Sequence, residues 1–153
     1  PGMSHVAILG RRLNRPVINL GFSGNGTMDL EIGALITEID AAVYIIDCLP
    51  NMQGKMIAER TEPLVKLLRQ GRPDTPIILV EDRTFTNAWI SRSKREHHRE
   101  SRAALVRAYY LEGDKLLGND TEAATDGSHP SDLGFVRQAD AFESVIKEAL
   151  AID

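Results

Sequence analysis

The feature that most limits the possible fold is an alternation of two kinds of apolar segment along the chain. Continuous apolar runs rich in β-branched residues occur at residues 16–22, 41–49 and 75–82, with a weaker run at 109–113. Continuous runs of this kind are typical of parallel strands that are covered on both faces. Between them, apolar residues recur at helical spacing, in stripes at Val6, Leu9 and Leu13; Leu35, Ile36 and Ile39; Ile57, Leu64, Val65 and Leu68; and Phe135, Ala139, Phe142, Ile146 and Ala149. This order predicts a three-layer α/β/α domain with a doubly wound, mainly parallel sheet. Ser4 is a candidate cap for the first helix, and Ser131 or Asp132 for the last.

Length and composition are those of one globular domain over residues 1–153. The chain is 42% apolar and 26% charged, and its formal net charge of −4 argues against a nucleic-acid or anionic-membrane partner. The lone Cys48 excludes an internal disulfide, and no Cys/His grouping resembles a zinc site, so we expect no metal or cofactor. No apolar run approaches the roughly 20 residues that span a bilayer. No export signal is visible either, which leaves the compartment open.

Two places in the chain lack a segment that this fold normally has. The helical pattern from about Ser93 to Ala108 runs directly into the strand-like run at 109–113, although helix-to-strand connections normally take about 2–6 residues. The chain also opens on a helical pattern without the strand that usually starts such a domain. We therefore expect residues to be missing at the N-terminus and near 108–109. If so, Ala108 and Tyr109 are not one peptide bond, about 3.8 Å, apart.

Polar and glycine-rich segments follow the first two predicted strands, where ligands of open α/β sheets collect. The first segment, "GFSGNG" at residues 21–26, could present a backbone N–H to a substrate or form a plain strand-to-helix turn. It is no phosphate loop, because GxGxxG and GK[ST] are absent. Asn51, in "DCLPNM" at residues 47–52, carries a neutral amide that suits an oxyanion, although a Pro-Asn turn explains it too.

The stretch "DGSHPSDLGF", residues 126–135, contains an acid and a histidine three positions apart, just before the last helix. A neutral imidazole can take a proton from a hydroxyl and return it to a leaving group when a carboxylate orients it. Asp126 and His129 are close enough within one turn for these two roles. The alternative is an ordinary polar turn with a surface histidine.

Other polar residues make weaker cases. Residues 81–83, Glu-Asp-Arg, follow the third predicted strand, and an internal ion pair or a solvated loop explains them without a catalytic role. His5 is a poor candidate, and His97 and His98 lie in a charged helical pattern that reads as a solvated face. Metal binding by His97 and His98 is disfavoured because neighbours on a helix point in different directions.

Three blocks in order, "NLGFSGNG", "DCLPNM" and "DGSHPSDLGF", resemble the SGNH (GDSL-like) hydrolase superfamily, most closely its bacterial GDSL-like lipase/acylhydrolase group. The resemblance covers nearly the whole chain and implies a flavodoxin-like fold. It implies that the Gly24 backbone N–H and the Asn51 side-chain amide donate to the oxyanion. It further implies that His129 is the general base and that Asp126 orients it.

The same resemblance places the nucleophilic serine on a turn after the first strand, upstream of Pro1. Ser4 reads as a helix cap, and Ser23 precedes the oxyanion glycine, where the family does not place its nucleophile. The first strand would be central in the sheet, and its absence leaves backbone groups of its neighbours unpaired. We therefore expect the natural protein to contain residues before Pro1, and we expect no esterase activity from residues 1–153 alone.

The function that these expectations favour is a serine esterase or acylhydrolase that cleaves an ester through an acyl-enzyme. The ester would be an acyl group on a carbohydrate or on a small molecule. An acyltransferase on the same scaffold is the nearest alternative, because the acceptor depends on pocket shape. A non-catalytic binding domain is the other, if the nucleophile is truly absent. The sequence leaves the acyl group, the alcohol and the oligomeric state open.

Overall fold

The computed structural model describes residues 2–103 and 109–152, so the predicted break between Ala108 and Tyr109 lies outside the described residues. The helices are α1 (His5–Arg12), α2 (Leu30–Ile36), α3 (Gly54–Gly71), α4 (Arg92–Ala103) and α5 (Asp132–Leu150). The strands are β1 (Tyr44–Ile46), β2 (Ile77–Val80) and β3 (Tyr109–Leu111). Single-turn 3-10 helices occupy Ser23–Asn25, Leu49–Asn51 and Gly113–Lys115.

The described strands form one parallel sheet in the order β1-β2-β3. Tyr44 pairs with Ile77 at the start of the first ladder, and Ile78 pairs with Tyr109 in the second. All four residues of β2 are buried, which explains why its sequence is a continuous apolar run rather than an alternating one. The runs at 41–49, 75–82 and 109–113 thus each contain a strand, as predicted.

Helices cover both faces of the sheet, which confirms the three-layer α/β/α prediction. Successive residues of β2 face opposite layers, so its apolar residues divide between two cores. One core joins the sheet to α3 and consists of Met28, Tyr44, Ile46, Leu49, Met52, Ile57, Leu64, Leu68, Ile77 and Leu79. The other joins it to α1 and α5 and consists of Ile8, Leu9, Ile78, Val80, Leu111, Leu116, Ala139, Phe142 and Ile146.

The predicted helix caps are present at both ends of the chain. The Ser4 hydroxyl accepts a hydrogen bond from the Ala7 N–H at 3.3 Å, and the Ser131 hydroxyl accepts one from the Gly134 N–H at 3.3 Å. Ser131 rather than Asp132 is therefore the cap of α5. Asp132 is the first residue of that helix, where a carboxylate interacts favourably with the helix dipole. Ser131 fixes where α5 begins, immediately after the turn that carries His129.

The prediction of a strand over residues 16–22 is wrong for the described structure, which has no strand there. Its apolar side chains are instead exposed, with fractions of 46% for Val17, 62% for Ile18, 42% for Leu20 and 44% for Phe22. A strand needs a neighbour to pair its backbone groups, and within the described residues β1 pairs only with β2. The apolar composition of residues 16–22 favours a strand, but composition does not show whether a neighbouring strand is present to pair with it.

Candidate active site

Asp126 and His129 form a hydrogen-bonded pair within one turn. The distance from Asp126 Oδ2 to His129 Nδ1 is 2.6 Å. Asp126 Oδ1 accepts the backbone N–H groups of Ser128 at 2.9 Å and His129 at 2.8 Å. These bonds, first of all the one from the His129 N–H, hold the pKa of the Asp126 carboxyl well below its usual range. The carboxylate stays ionised and fixes the ring through Nδ1, which leaves Nε2 for a reacting group.

Backbone hydrogen bonds close the turn that carries Asp126 and His129. The Thr125 N–H donates to the His129 carbonyl at 2.9 Å, and the Ser131 N–H donates to the Ala123 carbonyl at 3.0 Å. Gly127 has a φ of +87°, and a Cβ at this position would collide with the Asn87 side chain. Glycine is therefore required for the turn to take this shape so close to its neighbour.

Arg83 joins this turn to the end of β2. Its Nε donates to the Ser128 carbonyl at 2.7 Å, and its Nη2 donates to the Ser128 hydroxyl at 3.0 Å. The Thr86 N–H adds a backbone bond to the Gly127 carbonyl at 3.0 Å. Sequence analysis assigned Arg83 no catalytic role, because its partner is 45 positions away in the chain. Only its place directly after a predicted strand hinted at a role in the site.

The two residues before Arg83 are buried, so the solvated-loop alternative is wrong for them. Glu81 is 3% exposed and Asp82 is 0% exposed. Glu81 Oε2 accepts the backbone N–H of Gly113 at 2.7 Å, which ties the segment after β2 to the one after β3. Glu81 thus anchors the backbone from which Arg83 extends.

The prediction of a solvated face is also wrong for His97. Its Nε2 lies 3.6 Å from Asp82 Oδ2, and its ring meets the Phe85 ring edge-on with centroids 6.1 Å apart. His97 therefore belongs to a second His–Asp contact, longer than that of His129. The side chain of His98 lies outside the described residues.

Asn51 contacts the glycine-rich segment that contains Gly24. Its Nδ2 donates to the Ser23 carbonyl at 3.0 Å and to the Gly26 carbonyl at 3.2 Å. Gly24 lies between these carbonyls in open space, because a Cβ built there would have no described atom within 4 Å beyond its chain neighbours. A ligand atom can thus approach its backbone closely. Both N–H groups of the Asn51 amide are engaged, so donation to a substrate requires exchange of one of these bonds.

The Asp126–His129 pair and Asn51, with its glycine-rich segment, lie toward the same edge of the sheet. Asn51 follows β1, and Arg83, which holds the His129 turn, follows β2, the parallel neighbour of β1. The carboxyl ends of parallel neighbours meet at one edge, where ligands of this fold class bind. Within the described parts of the chain, no hydrogen bond joins Asn51 or Gly24 to Asp126 or His129. The structure therefore joins Asp126 to His129, and Asn51 to the residues that flank Gly24, without a hydrogen bond between the two groups.

His5, the first residue of α1, lies near the carboxylate of Asp47. The His5 ring stacks on Phe135, with centroids 6.0 Å apart, and meets the Phe142 ring at a tilt, with centroids 5.0 Å apart. Its Nε2 is 3.9 Å from Asp47 Oδ2. Burial lowers the pKa of His5 to about 4. Surrounding protein raises the pKa of Asp47 to about 6 although 29% of its side chain is exposed, and the charge of Arg83 opposes this rise. Removal of His5 from water thus disfavours its charged form.

The buried His5 should make the fold sensitive to acid. Its pKa of about 4 in the folded chain is below the unfolded value of about 6.5, so its contribution to stability is complete above pH 6.5 and is lost as the pH falls to 4. We expect His5→Phe to lack this loss, which is on the order of 3 kcal/mol. Urea unfolding of both proteins at neutral and acidic pH measures it. An equal loss of unfolding free energy in both would contradict the assignment.

Other surfaces of the described residues carry no comparable chemistry. A groove of about 520 Å³ between α2 and α3 is lined by Leu30, Glu31, Ala34, Pro63, Lys66, Leu67 and Gln70, and it contains none of the predicted site residues. Among the side chains that the structure describes, no group of three or more His, Cys, Asp or Glu is arranged to hold a metal ion. None of the helices in these ranges has the length and apolar character needed to cross a membrane.

Comparison with known proteins places the chain in a family. The model of the GDSL-like lipase/acylhydrolase family matches residues 1–147. This chain belongs to the GDSL-like lipase/acylhydrolase family. The crystal structure of a protein classed as a GDSL-like lipase from Bacteroides ovatus is similar, with a TM-score of 0.92 and 36% sequence identity. That similarity covers 100% of this chain and 49% of the Bacteroides chain, so this chain spans about half the length of that relative. No protein with a curated description matches.

Membership of the GDSL-like lipase/acylhydrolase family confirms the resemblance read from the three sequence blocks. The close structural match also confirms the α/β fold of the SGNH type.

Proposed function

We propose that this chain supplies the general base and the oxyanion donors of a serine esterase or acylhydrolase. The Asp126–His129 pair is the observation that carries the proposal. Its hydrogen bond is 2.6 Å long, and both side chains reach solvent, with 55% of Asp126 and 78% of His129 exposed. An ionised carboxylate bound to Nδ1 leaves Nε2 as the proton acceptor that a hydroxyl nucleophile needs.

In the proposed reaction, His129 Nε2 takes the proton of a serine hydroxyl as that oxygen bonds to the ester carbonyl carbon. The carbonyl oxygen becomes an oxyanion in the tetrahedral intermediate. When the bond to the alcohol oxygen breaks, the His129 imidazolium returns the proton to that oxygen, and an acyl-enzyme remains. Water then attacks the acyl carbon with His129 again as base. The bond from that carbon to the serine oxygen breaks, His129 returns the proton to the serine oxygen, and the acid is released. Asp126 stays ionised throughout and stabilises the imidazolium.

Two neutral donors would stabilise the oxyanion, the Gly24 backbone N–H and the Asn51 side-chain amide. The support is the contact of Asn51 with the carbonyls of Ser23 and Gly26 on both sides of Gly24, at 3.0 and 3.2 Å. Fixed donors aimed at developing charge lower the barrier without adding a titrating group. One of the two Asn51 bonds must pass from a carbonyl to the substrate oxygen in this step.

We place the nucleophilic serine after a strand that precedes Pro1 and lies between β1 and residues 16–22, within one domain that includes residues 1–153. Two features support this position. The exposed side chains of Ile18 and Phe22 would be covered by such a strand, and the edge of β1 that has no strand partner among the described residues would gain one. The chain's span of 49% of the Bacteroides relative is compatible with it.

The substrate we propose is an acyl ester of a carbohydrate or of a small molecule. No metal or cofactor takes part in the scheme, because each step is a proton transfer or an acyl transfer that the named side chains perform. Nucleic acid is not a proposed partner, since the net charge is −4. The choice between water and an alcohol as acceptor decides between a hydrolase and a transferase.

The experiment that tests this function uses p-nitrophenyl acetate and a fluorophosphonate probe on the full-length natural protein. We expect hydrolysis, covalent labelling of one serine upstream of Pro1, and parallel loss of activity as labelling proceeds. Hydrolysis that continues after complete labelling would contradict the acyl-enzyme. A protein that neither hydrolyses the ester nor reacts with the probe would support a non-catalytic binding domain. Formation of methyl acetate in added methanol measures the transferase share.

A further inference from the structure

We propose that Arg83 is the positioning residue of this site, which fastens the Asp126–His129 turn to the end of β2 so that His129 faces the oxyanion donors after β1. The proposal rests on the proposed function of His129 and adds the residue that fixes the position of this base. It concerns residue placement, since Arg83 contacts neither substrate nor the reacting atoms in this scheme.

The contacts of Arg83 fall on the centre of the turn. Ser128 lies between Asp126 and His129, and the guanidinium donates to both its carbonyl, at 2.7 Å, and its hydroxyl, at 3.0 Å. Because the guanidinium is planar and its N–H groups have fixed directions, two bonds to one residue set orientation as well as distance. A lysine would supply a point charge without this fork.

The bonds inside the turn are independent of Arg83. Asp126 itself accepts the N–H groups of Ser128 and His129 and binds the imidazole. Besides Arg83, a backbone bond from Thr86 to Gly127, at 3.0 Å, attaches the turn to the segment after β2. The structure thus separates two tasks, since Asp126 shapes the pair while Arg83 places it. Loss of the guanidinium should move an intact pair rather than dismantle it.

Arg83 is well placed for this task because its own backbone is held. Glu81 donates its N–H to the Leu111 carbonyl at 3.0 Å and accepts from Gly113, so the sheet continues to within two residues of Arg83. The guanidinium also lies 5.9 Å from the centroid of the Phe85 ring. Arg83 therefore lies between the end of β2 and the His129 turn.

The experiment compares Arg83→Met with Arg69→Met in the full-length natural protein. Arg69 is a matched control because its Nη1 also donates to carbonyl oxygens, those of Pro73 at 2.7 Å and Thr75 at 2.8 Å, before β2 begins. We expect Arg83→Met to lower kcat for p-nitrophenyl acetate by about 10²-fold with KM unchanged, the cost of a displacement near 1 Å. Arg69→Met should keep the wild-type kcat. Added methylguanidinium should restore part of the activity of Arg83→Met.

A proton NMR signal distinguishes an Asp126–His129 pair that is displaced but intact from one that is disrupted. The Nδ1–H of a carboxylate-bound imidazole gives a far-downfield resonance, which we expect to persist in Arg83→Met and to vanish in Asp126→Asn. An unchanged kcat in Arg83→Met, or loss of the resonance together with kcat, would overturn the proposal. If Arg83→Met does not fold, Arg83→Lys is the deciding variant. A reduced kcat with the resonance retained supports the proposal, and a wild-type kcat overturns it.

Failure of the proposed function would look different from failure of this inference. If His129→Ala hydrolyses the ester at the wild-type rate, His129 is not the base. The positioning role of Arg83 is then overturned together with the proposed function. If His129→Ala is inactive while Arg83→Met is fully active, only the positioning role is overturned.

Discussion

Replacing His129 with alanine should reduce kcat for p-nitrophenyl acetate by about 10²- to 10⁴-fold in the full-length protein. The substitution removes the proton acceptor that Asp126 orients at 2.6 Å, while the exposed position of the side chain means that little packing is lost. The melting temperature should therefore stay close to that of the wild type. Steady-state hydrolysis and thermal unfolding of the same preparation measure both quantities.

His97→Ala is the matched control for this prediction. His97 also lies near a carboxylate, with Nε2 3.6 Å from Asp82 Oδ2, but that contact is longer and Asp82 is buried. We expect the His97 variant to retain a kcat of the same order as the wild type. The reverse result, with activity lost in His97→Ala and kept in His129→Ala, would assign the base to the other His–Asp contact.

The second large effect is expected at Asn51. Removal of one oxyanion donor typically lowers kcat by about 10²- to 10³-fold, and we expect this loss from Asn51→Ala with a small change in KM. The reason is that the donor acts on charge that develops only in the transition state. Rates measured over a range of ester concentrations separate kcat from KM.

Asn51 also holds the glycine-rich segment, so a structural effect must be separated from the catalytic one. Its bonds to the Ser23 and Gly26 carbonyls will be lost in Asn51→Ala, and thermal unfolding should detect that loss. Asn51→Asp keeps the side-chain shape but replaces the donor with a charged acceptor, and we expect it to lose activity as well. An Asn51→Ala protein that is less stable but has a wild-type kcat would limit this residue to loop closure.

The parts of the fold that the sequence predicted well are those with local causes. β2 was predictable because a strand covered on both faces must be apolar at every position, and all four of its residues are buried. Ser4 and Ser131 were predictable as caps because their partners lie three residues ahead. The Asp126–His129 contact belongs to the same group, since one turn brings both side chains together.

The parts that the sequence predicted poorly depend on distant partners. Arg83 and Ser128 are distant in sequence and are brought together by the fold, so no local pattern indicated their contact. His97 lies in a charged helix, yet its partner Asp82 is buried after β2. Residues 16–22 have the composition of a strand, but composition does not provide the neighbour that a strand pairs with.

A crystal structure of the full-length natural protein tests the central claim most directly, through the distance from His129 Nε2 to the nearest serine Oγ. We predict a serine from a strand upstream of Pro1 at about 2.6–3.2 Å, on the same side as Gly24 and Asn51. The Asp126 bond to Nδ1 should be retained beside it. A His129 ring that faces solvent, with no serine hydroxyl in reach of either nitrogen, would contradict the claim that these residues form half of an esterase site.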